Sequence, residues 1–207
     1  AHASSWFRQT IAEQASTSAV VAVGTVSRID IRTLDDGCSL TQLRMTVDRV
    51  LRGSVSSGRI TVVLPGARID GQWTGAVGIP EASVGDTLLV FGAPMTDTEV
   101  QMAAGPQSVF RLLRTGAVEI AADFEGNPVV DPGCDQDRVI ARPMDQAPAL
   151  DDRSTAEATP AVPLDRVFVS QPESVGLDWT LFVDQIAACV ATQPASDLAS
   201  TDVGGGW

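Results

Sequence analysis

The fold is decided by the segment AVVAVGTVSRIDIR, residues 19–32. Its β-branched residues alternate with small or polar ones, so that Val21, Val23 and Ile29 share one parity. Such alternation is typical of a β-strand with one buried face. Gly24 interrupts the run, and a glycine inside a strand marks a bulge or a sharp bend. The segment therefore predicts a long strand bent in its middle, as a small closed barrel requires.

Further strands are predicted over residues 42–51, 60–64, 87–91, 100–102 and 108–113. In the first of these the alternation slips at Asp48, which indicates a second bulge. The segment 87–91 is apolar on both faces, as expected for a central, buried strand. Together these patterns predict a mainly β fold, a small closed OB-like barrel of five strands in Greek-key order.

Two regions are expected to lie outside the core of this barrel. Residues 67–85 are Gly-rich and non-periodic, and they predict a long surface loop that carries Trp73. Residues 118–120 and 128–130 predict a peripheral hairpin around the turn at 125–127. The core is expected to close before that hairpin.

A helix is predicted on each side of the barrel sequence. Thr10 and Glu13 fit the S/T-x-x-E capping box, which predicts a short helix that ends near Ser16. Towards the other terminus, apolar residues recur with the period of an amphipathic helix that docks on the barrel. They are Trp179, Phe182, Val183, Ile186 and Val190, and Cys189 falls on the same stripe.

These elements predict four parts along the chain. Residues 1–134 hold the N-terminal helix, the barrel and the hairpin. Residues 135–176 are rich in proline and acids and predict an extended crossing or linker. Residues 177–192 form the C-terminal helix, and residues 193–207 form a tail of small and acidic residues.

The composition excludes several kinds of catalysis. All 14 basic residues are arginine, and the only histidine is His2. Without lysine the chain cannot form a Schiff base, run a Ser-Lys dyad or supply the lysine of a phosphate-binding P-loop. A Ser-His-Asp site would have to recruit His2 from a terminus that is expected to fray. We therefore predict that the protein is not an enzyme.

The charge and the apolar pattern limit the partners and the compartment. The net charge of −12 repels phosphate backbones, which argues against nucleic acid as a partner. No apolar stretch reaches the roughly 18 residues of a membrane-spanning helix. Residues 1–3, Ala-His-Ala, have the small-x-small form of a signal-peptidase site, although so short a pattern also occurs by chance. We expect a protein that is secreted or on the cell surface, with the periplasm as an alternative.

Three cysteines leave one thiol over after a single disulfide, which an oxidising compartment allows to persist. The preferred pair is Cys134 with Cys189, which would tie the C-terminal helix to the barrel. A bridge between Cys38 and Cys134 is the alternative. No cysteine spacing resembles a metal site.

Candidate binding residues are few. Trp73 in its Gly-rich loop is a candidate for recognition of a partner, because exposed aromatic residues often anchor partners, and Trp207 is a second candidate. The alternative for Trp73 is that it folds back on the barrel. No cofactor is predicted.

Metal ions were considered at three places. Calcium prefers clustered carboxylates, which occur at Asp131, Asp135 and Asp137 and at Asp30, Asp35 and Asp36, although neither set has EF-hand spacing. His2 beside a free Ala1 amine could chelate copper. Surface turns in an acidic chain also gather aspartate without binding any metal.

Four motifs in order carry a resemblance to a known family. They are VVAVGTV at 20–26, VDRVLRG at 47–53, ITVVLPG at 60–66 and VGDTLLVF at 84–91. In this order, over about residues 8–114, the chain resembles exported bacterial proteins whose domain is similar to the netrin-like or tissue-inhibitor-of-metalloproteinase OB barrel. In those inhibitors an N-terminal cysteine presents its amine and carbonyl to a protease zinc. Ala1 stands at that position here and the Cys-x-Cys opening is absent, so the resemblance does not carry inhibition over.

Three functions follow from these expectations, in order of preference. The first is a secreted or cell-surface structural or protein-interaction module, acting on another protein or on copies of itself. The Gly204–Gly206 segment, which resembles glycine-rich stretches ahead of C-terminal sorting anchors, fits surface display. The second is a regulator or inhibitor of a secreted enzyme, by analogy of fold alone. The third is an ion-binding protein or an enzyme of unrecognised type.

Overall fold

The computed structural model describes residues 9–74, 81–96, 98–134, 140–141 and 176–194. Its helices and strands, in chain order, are α1 (Ile11–Thr17), β1 (Val20–Thr33), β2 (Ser39–Arg52), β3 (Arg59–Pro65), β4 (Ala67–Ile69), β5 (Gln72–Thr74), β6 (Thr87–Pro94), β7 (Glu99–Pro106), β8 (Val109–Thr115), β9 (Val118–Ala122), β10 (Val129–Asp131), β11 (Ile140–Ala141) and α2 (Trp179–Thr192). The mainly β class that the sequence predicts is confirmed.

Five strands form a ring of paired neighbours. β1 pairs with β2 and β2 with β3, both antiparallel. β3 runs parallel to β7, β7 pairs antiparallel with β6, and β6 pairs antiparallel with β1. β8 extends the sheet beyond β6, and β9 extends it beyond β8. The two ends of β1 therefore differ, because only residues 21–25 pair with both β2 and β6.

The predicted bend in β1 and the predicted bulge in β2 meet at the same point. Val23 pairs with Arg49 and Gly24 pairs with Val47, so that Asp48 is the extra residue. A Cβ atom on Gly24 would collide with the carbonyl oxygen of Thr46. Only glycine lets the two backbones approach this closely, which explains why the β-branched run is interrupted there.

An inner core is made by the ring strands. Twelve buried residues form it, all of them aliphatic or methionine: Ala22, Val26, Leu43, Met45, Ile60, Val62, Leu64, Leu88, Val90, Val100, Met102 and Val109. Every strand of the ring contributes at least two of them. The alternation in β2 thus places one parity against this core and the other parity towards solvent, whereas in β3 Val63, which has the other parity, is buried as well.

An outer core lies between the sheet and the two helices. It contains the buried aromatic residues, and its main members are Ile11, Val21, Val23, Leu89, Phe91, Phe110, Ala121, Val129, Trp179, Phe182, Val183, Ile186, Cys189 and Val190. The predicted apolar stripe of α2 is confirmed, because all six of its residues are buried. β6 is apolar on both faces because Leu88 and Val90 face the inner core while Leu89 and Phe91 face the outer one.

The N-terminal helix is confirmed down to its capping box. The Thr10 hydroxyl accepts a hydrogen bond from the Glu13 amide at 3.0 Å, and the Glu13 carboxylate accepts one from the Thr10 amide at 2.7 Å. Ile11 and Ala15 are fully buried against the outer core.

Arg52, at the end of β2, joins the two helices. Its guanidinium donates to the carbonyl oxygen of Ala15 in α1 and to those of Val190 at 2.8 Å and Gln193 at 2.7 Å at the end of α2. A cation is favourable there, because the last carbonyls of a helix carry partial negative charge and lack partners within the helix. One side chain thus supplies hydrogen bonds to both C-terminal turns.

The structure differs from the sequence-based expectation in two places. The segment predicted as a loop contains the hairpin of β4 and β5, closed by Asp70 and Gly71, both with positive φ. β9 pairs with β8 rather than forming a hairpin with β10, to which it is joined only by the bridge between Ala122 and Pro128. The core also extends further than predicted, since Ala121 and Val129 are buried in the outer core.

Most of the predicted crossing, and the whole tail after residue 194, lie outside the described residues. Within residues 135–176, the structure describes β11 and Gly176. β11 pairs with β10. Neither helix in the part of the chain that the structure describes is long and apolar enough to cross a membrane.

Candidate functional site

The candidate site is a groove of about 770 Å³ at the end of the ring opposite Arg52. It lies between the turn that joins β1 to β2, the end of β3 and the turn that joins β6 to β7. Thr74, at the end of the β4–β5 hairpin, lines it as well. The groove is therefore built from turns and strand ends that are far apart in sequence.

The lining of this groove is largely apolar. The apolar side chains are Leu34, Leu40, Val63, Pro65, Met95 and Met102. Met95 is 47% exposed, whereas Val63 and Met102 are buried by their place in the β-ring. Methionine adapts its shape to irregular surfaces more readily than branched residues do. An apolar, adaptable lining suits the side chains of another protein better than it suits a charged small molecule.

Polar groups stand at the rim, in the turn between β1 and β2. The Asp36 carboxylate accepts a hydrogen bond from the Cys38 amide at 2.9 Å, and the Leu34 amide bonds to the Cys38 carbonyl at 2.8 Å. Gly37 takes a positive φ of 84° between them. The turn is thus fixed by its own hydrogen bonds, and it holds one wall of the groove in place.

Cys38 is the free cysteine, and it is exposed at this rim. A hydrogen bond with the Asp36 side chain and the negative charge of that carboxylate raise the pKa of the Cys38 thiol above its usual value. A raised pKa keeps the thiol protonated at neutral pH, and the protonated form is a poor nucleophile. The environment of Cys38 is therefore unlike that of a catalytic cysteine.

The disulfide is Cys134 with Cys189, the preferred pair of the two that the sequence allows. Their Cα atoms are 5.8 Å apart, within the usual range for a disulfide. The bond ties α2 to the segment that follows β10 and lies at the outer core. The alternative bridge between Cys38 and Cys134 is wrong, because Cys38 lies at the groove instead.

Of the two candidate binding residues, Trp73 lies in β5 and pairs with Arg68, next to the groove residue Thr74. The Trp73 side chain is outside the described residues, and so is all of Trp207. The structure thus places the backbone of Trp73 beside the groove. Sequence reasoning did not identify Leu34 and Met95 as groove residues. The available signal was Met95, a methionine in the short turn between two strands.

The predicted calcium ligands Asp30, Asp35 and Asp36 do not form a metal site, whereas the set of Asp131, Asp135 and Asp137 lies mostly outside the described residues. In the described part of the chain, no three carboxylate, thiol or imidazole groups lie close enough to hold a metal. Asp131 is in β10 and accepts a hydrogen bond from the Gly133 amide, while Asp135 and Asp137 are outside the described residues, as are Ala1 and His2. In the other set, Asp30 is paired with arginines and Asp36 with the Cys38 amide.

Comparison with protein-family models found no match, and a search of curated proteins found no similar one. The resemblance to netrin-like domains therefore rests on the four motifs alone.

Proposed function

We propose that this chain is a secreted or cell-surface protein-interaction module, and that the groove at the β1–β2 and β6–β7 turns is where a protein partner docks. The observation that supports it most is an apolar groove of about 770 Å³ with the half-exposed Met95 at its edge. Exposed apolar surface of this kind is unfavourable in water and is usually covered by a partner.

The framework that we propose for this module is a closed OB-like barrel. Two observations support it: the five strands are linked in a ring in the order β1-β2-β3-β7-β6, and β3 runs parallel to β7. An OB barrel has five strands in Greek-key order. Its turns meet at one end, which would hold the groove walls in a fixed geometry.

The proposed location outside the cytoplasm is supported by the bond between Cys134 and Cys189. Disulfides persist in oxidising compartments and are rare in the cytosol. The partner is then another exported or surface protein, or a second copy of this chain. A stable dimer would need to cover about 800 Å² on each copy.

The test is capture of partners from native culture medium by the immobilised full chain. Met95→Asp places a charge at the groove, and Val118→Asp is a matched control, because Val118 in β9 is also 47% exposed but lies outside the groove. We expect Met95→Asp to lower the recovery of the bound partner by at least about tenfold, because docking would bring an unpaired carboxylate into an apolar contact. The control should leave recovery unchanged.

Sedimentation of the purified chain separates the two kinds of partner. If the partner is a second copy, the wild type is expected to dimerise and Met95→Asp to shift it to monomer. Equal capture by both variants, together with equal sedimentation, would contradict docking at the groove.

A further inference from the structure

A second concave surface lies on the outer side of β1, β2 and β3. It is a groove of about 470 Å³ that we call the arginine groove, because it is lined by Arg28, Arg44 and Arg59. The rest of its described lining is mainly hydroxyl and amide groups. It shares no lining residue with the apolar groove, so the two sites are independent.

Strand register brings the three arginines together. Leu43 and Met45 in β2 and Ile60 in β3 face the inner core. Their sequence neighbours Arg44 and Arg59 therefore point to the other side of the sheet, towards solvent. Arg28 lies directly opposite Arg44, and Arg59 lies opposite Thr46. Arg44 and Arg59 are thus diagonal neighbours, a relation that places Cα atoms about 7–8 Å apart.

The charges in this groove are not balanced by its own acids. Asp30 serves two arginines: Arg28 Nε bonds to Oδ1 at 2.7 Å, and Arg44 Nε lies 2.9 Å from Oδ2 without the alignment of a hydrogen bond. Glu99 accepts a hydrogen bond from the Gln42 amide at 3.1 Å. The guanidinium of Arg59 makes no hydrogen bond or ion pair with any described residue.

Arg28 and Arg44 lie directly opposite one another on the sheet, where like charges repel. The carboxylate of Asp30 between them offsets part of this repulsion. The chain has 26 acidic residues against 14 arginines, so positive charge is scarce on it. Among the described residues, three arginines in this concave surface face two carboxylates, Asp30 and Glu99, which is an excess of one positive charge on a protein of net charge −12. A bound anion would offset this repulsion.

We propose that the arginine groove binds a ligand that carries two neighbouring carboxylate groups, one paired with Arg44 and the other with Arg59. The guanidinium fork matches the geometry of a carboxylate with two parallel hydrogen bonds. The hydroxyl of Thr61, between the two arginines on the same face, lies where it can donate to the ligand. Singly charged carboxylates suit the site better than doubly charged phosphates, because Asp30 and Glu99 flank it.

The carboxylates have two sources, a free polycarboxylate or the acidic side chains of a peptide. Citrate and a hexaglutamate peptide are the probes, and binding to the full chain is measured by calorimetry at low salt. The arginine Nε–Hε signals in NMR report which arginines respond. Tighter binding of the peptide assigns the site to an acidic protein segment, and tighter binding of citrate assigns it to a small molecule.

The variant Arg44→Gln/Arg59→Gln keeps a polar side chain with an N–H donor at each position and removes both charges. We expect it to weaken binding of the preferred probe at least about tenfold, the effect of losing two charged contacts. The control is Arg114→Gln, since Arg114 pairs with Glu119 on the far strands β8 and β9. It should bind like the wild type.

A variant that is expected to bind more tightly separates an effect on the site from a loss of folding. Asp30→Asn removes the carboxylate that competes for Arg44, so it is expected to bind the same probe several times more tightly. Loss of structure cannot produce that result. The proposal is overturned if neither probe binds saturably below about 10 mM, or if the double variant binds as tightly as the wild type.

Discussion

The two ends of the β1–β2 ladder contrast in what covers them. At one end Arg52 lies under α1 and α2, next to a core that holds the buried aromatic residues and is tied by a disulfide. At the other end Leu34 and Met95 line an apolar groove with no helix over it in the described part of the chain. The covered end buries a large apolar core, whereas the open end leaves apolar side chains such as Met95 partly exposed. Changes at the first should therefore cost stability, and changes at the second should not.

The largest expected effect is at Phe182 in α2. It is fully buried and its ring centroid lies 5.2 Å from that of Phe110. Phe182→Ala leaves a cavity in the outer core, and we expect it to lower the free energy of unfolding by about 3–5 kcal/mol. Urea denaturation measures this. Leu181→Ala, next to it and 49% exposed, is the control and should change stability by less than about 0.5 kcal/mol. Equal losses of stability in Phe182→Ala and Leu181→Ala would contradict the stabilising role of the residues buried at the covered end.

The disulfide should rank second. Cys134 and Cys189 are separated by 55 residues, and cross-linking them restricts the unfolded chain. Replacing both by alanine is expected to lower stability by about 2–4 kcal/mol. Thermal unfolding with and without a reductant gives the measurement. Cys38→Ala should have almost no effect, and a loss as large as that of the double variant would contradict the assigned pairing.

Arg52 should rank third, and β2 offers its own control. Arg52→Gln removes hydrogen bonds to three carbonyls at the ends of both helices, with an expected loss of about 2 kcal/mol. Arg49 also reaches α2, but its pair with Asp184 at 2.7 Å is exposed on both sides. Arg49→Gln should therefore cost no more than about 0.5 kcal/mol. If the two variants lose equal stability, Arg52 does not hold the helices.

At the open end, we expect a substitution to change the reactivity of the Cys38 thiol without changing the stability of the protein. Because Asp36 raises the pKa of the Cys38 thiol, Asp36→Asn should lower that pKa and increase the thiolate fraction at a given pH. Alkylation by iodoacetamide near pH 8 is then expected to be faster than in the wild type, while the melting temperature stays the same. The asparagine oxygen can still accept the hydrogen bond from the Cys38 amide. An unchanged rate would show that Asp36 does not control the thiol.

The elements predicted from sequence were those with a strong period. The β-branched alternation of β1, the slip at Asp48 and the apolar stripe of α2 all reflect burial of one face, so each could be read locally. β4 and β5 were missed because three residues are too few to show a period. The turn residues Asp70 and Gly71 were the signal, since an Asp-Gly pair with positive φ is typical of a tight hairpin.

The pairing of β9 was mispredicted for a related reason. Gly116 has a positive φ of 64° in the short turn between β8 and β9, and this turn sets the pairing of Thr115 with Val118. The small residues Ala121 and Ala122 then continue the strand into the outer core without a strong apolar pattern.

The grooves could be predicted only in part. The Gly-rich sequence around Trp73 indicated a candidate binding residue, and the backbone of Trp73 lies beside the apolar groove. Leu34 and Met95 are brought together by strand pairing between distant segments, which no local pattern reveals. The arginine groove likewise depends on the register that sets Arg28 against Arg44. A one-residue slip in that register would have placed these charges on the other face.

The parallel pairing of β3 with β7 and the late position of α2 have a consequence for biosynthesis. The ring strands are complete by Pro106, but α2 begins roughly 70 residues later, a delay of several seconds at about 5–20 residues per second. During that delay α1 is the only one of the two helices available to Phe91 and Phe110, so the apolar surface that α2 buries stays exposed on the nascent chain. Cys134 is also made well before Cys189, and Cys38 is the other cysteine of this sequence that precedes it. Any bond formed between Cys38 and Cys134 before α2 docks would have to exchange for the native disulfide.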